Sequence, residues 1–156
     1  MSFPESIRTV FSKYATFSGR ARRSEYWWWA LFTYLVSFVL AVVVAAVAMP
    51  TTDPVTGSPT GAGAVMVGLY ALVMLALVLP SLAVAVRRLH DTDKAGWWVL
   101  LNAVPFVGPI VVLVLLALEG TPGPNRFGPD PKGTELPAAG YGAPAYPGAG
   151  QPPAAY

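Results

Sequence analysis

The sequence contains no cysteine and only one histidine among its 156 residues. The first absence excludes disulfides, thiolate metal sites and cysteine nucleophiles, and a single histidine excludes any site that needs two. Charged residues are also scarce: they make up 12% of the chain, whereas about 25% is typical of soluble domains. With 54% hydrophobic residues and a mean hydropathy of +0.53, this is not the composition of a water-soluble globule.

Three long stretches carry no charge: Tyr26 to Met49, Ala64 to Val86 and Trp97 to Leu118. As a helix, the first would extend about 36 Å, more than the ~30 Å hydrocarbon core of a bilayer. We therefore predict an all-α membrane protein. Pro80 should kink the second stretch, and the carbonyl that it frees should meet Ser81 or a neighbouring side chain.

Two alternatives concern these stretches. Ala46-Val47-Ala48 resembles a signal-peptide cleavage site, but the basic region before the first stretch is too long for a usual signal peptide. The third stretch is interrupted by Pro105, Gly108 and Pro109, so it could form a kinked span or a re-entrant hairpin whose arms are too short to cross separately. We favour the span.

Residues 3–17 predict an amphipathic helix, because aromatic and aliphatic residues recur at three- and four-residue steps. Ser2 and Glu5 fit a capping box, and Gly19 suits a C-cap. Such a helix would lie in the membrane surface with its apolar face in the acyl boundary. The alternative is that this face packs on the rest of the protein.

Lysine and arginine mark the cytoplasmic side of membrane spans. The first loop, Pro50 to Gly63, has neither. Five precede the first stretch: Arg8, Lys13, Arg20, Arg22 and Arg23. Three follow the second: Arg87, Arg88 and Lys94. This pattern, with tryptophan clusters at 27–29 and 97–98, predicts a cytoplasmic N-terminus and second loop; the tail would be outside after a third span, inside after a hairpin.

The chain divides into a membrane domain, residues 1–132, and a tail. Residues 137–156 are only Pro, Ala, Gly, Tyr and one Gln, too poor in aliphatic side chains to fold. The tail, residues 133–156, is therefore predicted to be disordered.

Three polar blocks stand out at residues 17–27 (FSGRARRSEYW), 87–98 (RRLHDTDKAGWW) and 120–131 (GTPGPNRFGPDP). In this order they resemble the signature blocks of the Domain of Unknown Function 805 family of small bacterial inner-membrane proteins. The resemblance extends from about Phe3 to Lys132, leaving out the first loop and the tail. It implies an inner-membrane location and a shared architecture, but no reaction.

The arginines of the first two blocks are candidates for setting topology and attracting anionic lipid, at about 1 kcal/mol each. If Arg20, Arg22 and Arg23 converged with Arg87 and Arg88, they would form a headgroup or phosphate pocket. Glu25 is a natural partner for one arginine at the membrane edge.

The second block offers a more tempting site. His90, Asp91 and Asp93 could ligate a metal, but metal sites of this kind need further ligands. The structural alternative is better: Arg87 pairs with Asp91 four residues on, and Asp93 caps the next helix near Gly96.

The third block, a Gly- and Pro-rich strap at residues 120–131, lacks the Gly-Lys-Ser/Thr ending of a phosphate-binding P-loop. Asn125 and Arg126 could hold a ligand. They could instead tie the strap to the second block through Asp91 or Asp93, which requires a cytoplasmic strap and would support the hairpin.

Three functional hypotheses remain. The leading one is a non-enzymatic membrane component that binds anionic lipid headgroups or a protein partner through its basic cytoplasmic face, without cofactor, metal or nucleic acid. The second is an oligomeric small-solute channel or transporter, although no ionisable residue lies in the apolar stretches. The third is an enzyme that uses His90 and Asp91.

Overall fold

The computed structural model describes residues 1–133, which fold entirely into helices, turns and loops. The tail predicted to be disordered lies, except for Gly133, outside the described residues. In chain order the helices are α1 (Phe3–Ser12), α2 (Arg23–Ala48), a 3₁₀ helix (Met49–Thr51), α3 (Gly61–Asp91), a second 3₁₀ helix (Gly96–Ala103) and α4 (Val107–Ala117).

Helices α2 and α3 form an antiparallel pair, and both are long and apolar enough to cross a membrane. They contain the first two charge-free stretches apart from Met49, as predicted, although α3 begins at Gly61, three residues before Ala64. Three side-chain contacts along the pair fix its direction: Glu25 with Arg87, Trp29 with Ser81, and Ser37 with Tyr70.

Pro80 remains inside α3, where its missing N–H leaves the carbonyl of Ala76 without its usual helical donor. The hydroxyl of Tyr14 donates to that carbonyl. Ser81 instead donates to Leu77 at 2.7 Å. Of the two expected partners for the freed carbonyl, the neighbour is the one observed.

Helix α1 has the predicted capping box: the backbone N–H of Ser2 donates to the Glu5 carboxylate at 2.7 Å. The predicted helix is too long, however. It ends at Ser12 with Lys13 as its C-cap, so Gly19 caps nothing and belongs to the loop that follows.

The apolar face of α1 packs against α2 and α3. Val10 is fully buried in a cluster with Trp29 and Val84, and the ring of Phe11 meets that of Trp29 edge to face. This part of the apolar face therefore packs on the rest of the protein, which was the alternative to insertion in the membrane surface. Phe17 remains 39% exposed.

The third charge-free stretch does not form the kinked span favoured from the sequence. The chain reverses at Phe106, where a φ of +63° and a hydrogen bond of 2.7 Å from Val107 N to Pro105 O make a γ-turn. Gly108 then passes so close to the carbonyl of Leu101 that a Cβ would overlap it. The second 3₁₀ helix and α4 are thus the two arms of a hairpin.

Candidate functional site: a buried arginine network

The three polar blocks converge where α3 ends. The backbone N–H of Ala21 donates to the carbonyl of Arg87 at 3.0 Å, and that of Thr121 to the carbonyl of Asp91 at 2.8 Å. The Asn125 side chain donates to the carbonyl of His90 at 2.8 Å. Segments about a hundred residues apart in sequence therefore form one unit, which we call the arginine network: Arg20, Glu25, Arg87, Arg88, Asp91 and the strap.

Asp91 is the centre of the network. Its buried carboxylate accepts from Nε of Arg20 through Oδ1 at 2.9 Å and from Nη1 of Arg88 through Oδ2. A Cβ on Gly120 would overlap Oδ2, so the strap can pass this carboxylate only with glycine there. With both oxygens engaged by cations, Asp91 is held as a structural counter-ion.

Arg20 joins the first block to the strap. Beyond Asp91, its guanidinium donates to the carbonyls of Thr121 and Gly123, each at 2.6 Å. The Thr121 hydroxyl also donates to the carbonyl of Asp91, at 3.1 Å. The buried Arg20 charge is therefore surrounded by a carboxylate and backbone oxygens.

Arg88 fixes the returning end of the hairpin. It is fully buried and donates from Nε to the carbonyl of Leu116 at 3.0 Å and from Nη2 to that of Leu118. These carbonyls lie at the C-terminus of α4, where unpaired acceptors and the helix dipole favour a cation.

Arg87 pairs with Glu25 at 2.6 Å, both side chains being less than 5% exposed. Its Nε and Nη2 have no hydrogen-bond partner within residues 1–133. The expectation that Glu25 meets an arginine is confirmed, whereas the expected Arg87–Asp91 pair is wrong. Asp91 turns instead to Arg88, three residues before it, and to Arg20.

The His90 ring is enclosed by other blocks. It stacks on Phe127 with centroids 3.9 Å apart and 3° between planes, and its Nδ1 lies 3.1 Å from the carbonyl of Gly19. Because that partner only accepts, Nδ1 carries the proton. In the part of the chain that the structure describes, no group of three or more His, Asp or Glu residues is placed to hold a metal.

Asp93 and Arg126 form an outer pair, with 3.2 Å between Oδ1 and Nε and with side chains 47% and 60% exposed. The guanidinium of Arg126 also lies 4.7 Å from the ring centre of Phe127. The predicted tie between strap and second block is therefore present. The predicted helix cap is wrong, because Ala95 and not Asp93 precedes the 3₁₀ helix as its N-cap.

The remaining cations of the first block differ in environment. Arg22 donates from Nε to the carbonyl of Pro131 at 2.7 Å. Arg23 is exposed and has no hydrogen-bond or ion-pair partner within residues 1–133. The same holds for Arg8 and Lys13 of the N-terminal segment. The predicted convergence of the arginines thus occurs for Arg20 and Arg88, whose guanidinium groups are paired with Asp91 within the protein.

The strap is closed on itself by Asp130. Backbone N–H groups of Lys132 and Gly123 donate to its carboxylate at 2.9 and 3.0 Å, and these hydrogen bonds, the one from Lys132 first, lower the pKa of Asp130. Asp130 therefore stays ionised and keeps the strap in its compact turn.

Two contributors were not anticipated from the sequence. Thr121 makes two hydrogen bonds to one carbonyl, and Tyr14 reaches α3 across 62 positions of sequence. The sequence did indicate that Pro80 would leave one carbonyl of α3 without a donor. Nothing in the spacing of the residues indicated that Tyr14 would supply that donor.

Comparison with known proteins places these residues in a wider group. A family model described as "Protein of unknown function (DUF805)" matches residues 14–129, which include the first two blocks and residues 120–129 of the third. The chain is 40% identical over 124 residues to inner membrane protein YhaH of Escherichia coli K12, covering 79% of this chain and 93% of that one. It is 43% identical over 124 residues to inner membrane protein YhaI of the same organism, covering 80% and 92%. No solved structure matches the chain.

Proposed function

This chain belongs to the DUF805 family and is an integral protein of the bacterial inner membrane, and from that premise we propose that it is a non-enzymatic component which binds anionic lipid headgroups on the cytoplasmic side. The chemistry of the network supports the non-enzymatic part. Both oxygens of Asp91 are paired with arginines, and the His90 ring is covered by Phe127. Asp91 is thus occupied as a counter-ion, and one face of the His90 ring is covered.

The proposed topology has α2 and α3 as the two membrane crossings, with N-terminus, network and strap in the cytoplasm. The hairpin enters and leaves on that side, because its arms, one of eight 3₁₀ residues and one of eleven α-helical residues, each extend only about 16 Å. That is about half the ~30 Å hydrocarbon core.

Aromatic residues support the same topology. Tyr26 and Trp98 pack against one buried cluster around Leu89, so the two tryptophan-containing segments lie at one end of the helix pair. Trp27 and Trp97 are 40% and 61% exposed there, as expected for side chains at a membrane interface. Helix α1 lies at that interface, beside the basic segment.

One observation carries the lipid-binding proposal: the buried arginines are neutralised internally, while three cations at the same end are not. Arg87 and Arg88 are at most 1% exposed and cannot reach a headgroup. Arg8, Lys13 and Arg23 are exposed, without side-chain partners within residues 1–133. Near an anionic surface each contributes about 1 kcal/mol of attraction. The residues proposed to bind headgroups are therefore these three and not the buried arginines of the network.

The experiment compares stabilisation by lipids of different charge. Purified protein in detergent is titrated with phosphatidylglycerol or phosphatidylcholine, and Tm is followed. The wild type should gain more stability from phosphatidylglycerol. The Arg8→Gln/Lys13→Gln/Arg23→Gln triple variant should lose most of that difference, because its unpaired charges are gone.

The matched control removes the same net charge elsewhere on the cytoplasmic side. Lys94, Arg126 and Lys132 have partners within the protein, namely the Thr92 carbonyl, Asp93 and Glu119. Changing these three to Gln should leave the phosphatidylglycerol preference in place. If both triple variants lost it equally, the effect would reflect net charge alone and the proposal would fail.

A further inference from the structure

A cleft of about 700 Å³ lies between the helix pair and the hairpin. This volume falls in the range of about 300–1,000 Å³ that is usual for small-molecule sites. Apolar side chains dominate its walls, which come from α2, α3 and both hairpin arms. They include Tyr26, Ala30, Leu77, Ala85, Val99 and Leu113.

The cleft is about one leaflet deep. On α2 its lining begins at Tyr26 and ends at Ser37, a rise of about 16 Å for a helix, and half of a ~30 Å hydrocarbon core is similar. The hairpin, which forms the opposite wall, is limited to the same depth by the length of its arms. In the topology proposed above, this depth places the cleft in the cytoplasmic leaflet, where the surrounding medium consists of acyl chains.

An unpaired cation lies at the cytoplasmic mouth. Arg23 is one helical turn before Tyr26 on α2, and so on the same side of the helix. Arg88, at the same end of the helix pair, holds the carbonyl of Leu116. Both Tyr26 and Leu116 line the cleft. An exposed positive charge thus stands above an apolar slot.

We propose that the cleft retains one anionic phospholipid of the cytoplasmic leaflet, with an acyl chain between α2 and the hairpin and the phosphate at Arg23. The preference for an anionic headgroup rests on the function proposed above, whereas occupation of the cleft by a chain does not. The shape of the site, one leaflet deep with its charge at the mouth, matches the amphipathic form of a phospholipid.

A second copy of the chain is the competing occupant. Asn102 lines the cleft, and its side-chain amide has no hydrogen-bond partner within residues 1–133. Asparagine in an apolar helical segment can join two membrane proteins by hydrogen bonding. The walls are concave, however, and a chain-shaped guest fills such a slot where a second copy of the same concave face would not.

The test fills the cleft. Ala30→Phe places a ring in the slot, and Ala41→Phe makes the same change further along α2 at an exposed position. Each protein is purified in mild detergent and examined by native mass spectrometry. Wild type and Ala41→Phe should retain one phospholipid per chain, enriched in phosphatidylglycerol, and Ala30→Phe should lose at least four-fifths of that adduct. Arg23→Gln should keep a lipid but lose the phosphatidylglycerol enrichment.

A photoreactive phosphatidylglycerol with a diazirine in its acyl chain gives a second measurement on the unchanged protein. Its cross-links should map to Ser37, Met74 or Leu113 within the cleft. Adding an excess of unlabelled bulk lipid should reduce these cross-links only weakly. Absence of a retained lipid, or equal retention in Ala30→Phe and Ala41→Phe, would overturn the proposal. So would a dimer that Asn102→Leu dissociates. Loss of the enrichment alone, with the chain retained in wild type, would count against the headgroup proposal only.

Discussion

At the scale of single residues, one carboxylate neutralises two buried arginines. Asp91 is the shared acceptor of Arg20 and Arg88, and the remaining donors of both arginines are met mostly by backbone carbonyls of the strap and of α4. Removing one member of a buried ion pair leaves the other charges uncompensated, which costs about 3–5 kcal/mol.

Asp91→Asn should therefore lower the free energy of unfolding by about 3–5 kcal/mol, since the amide keeps the shape of the side chain but not its charge. Reversible unfolding in detergent micelles measures this loss. Asp93→Asn is the control: it makes the same chemical change two residues away, in a pair that is about half exposed. Its cost should stay below about 1 kcal/mol, and equal effects would contradict the central role of Asp91.

The sequence predicted the members of the site better than their pairing. Arg20, Arg88, Asp91 and Asn125 were all singled out, because charges are rare here and cluster in three blocks. Spacing along one helix suggested an Arg87–Asp91 pair, but Arg20, 71 positions away, competes for the same carboxylate. Contacts between distant blocks depend on how the chain returns, which local spacing does not encode.

At the scale of helices, the turn that follows α1 is joined to α3 at Ala76, one helical turn before Pro80. Tyr14→Phe keeps the ring and removes the donor to Ala76, so a carbonyl that Pro80 has already freed is left unpaired. We expect a loss of about 0.5–1.5 kcal/mol, measured by the same unfolding experiment. Tyr34→Phe is the control, because the Tyr34 hydroxyl has no hydrogen-bond partner in residues 1–133; it should change stability by less than about 0.5 kcal/mol.

The helices that were predicted well from the sequence are those for which a long uncharged run is a sufficient criterion. Length and absence of charge sufficed for α2 and α3. They did not suffice for residues 97–118, which are long enough for a span and contain enough Pro and Gly for a hairpin. The outcome depends on Arg88, which holds the carbonyls of Leu116 and Leu118, and on Asp91, which holds Thr121. Both contacts hold the end of this stretch beside the C-terminal end of α3, close to where the stretch begins.

At the scale of the whole molecule, the proposed topology places Lys132 in the cytoplasm and the first loop outside. The lack of native cysteine allows a direct measurement with single-cysteine variants. An impermeant maleimide applied to intact spheroplasts should label Val55→Cys, which replaces a 91% exposed residue of the first loop. It should label Lys132→Cys only after lysis.

The two variants serve as each other's control, because both are exposed and each carries a lone thiol. Labelling of Lys132→Cys in intact spheroplasts would rule out a hairpin that returns to the cytoplasm. Protection of Val55→Cys would instead mean that the orientation of α2 and α3 is inverted.

The network also constrains the order in which the protein can be completed during synthesis. Arg20 donates to the carbonyls of Thr121 and Gly123, and the backbone carbonyl of Asp91 accepts from the N–H of Thr121. These strap groups emerge from the ribosome after all the apolar helices. Until then Arg20 lacks the strap carbonyls that accept its remaining hydrogen bonds. A nascent chain that stops before the strap therefore still has the Asp91 ion pairs but leaves Arg20 without its backbone acceptors, a difference that a quality-control protease at the membrane surface can read.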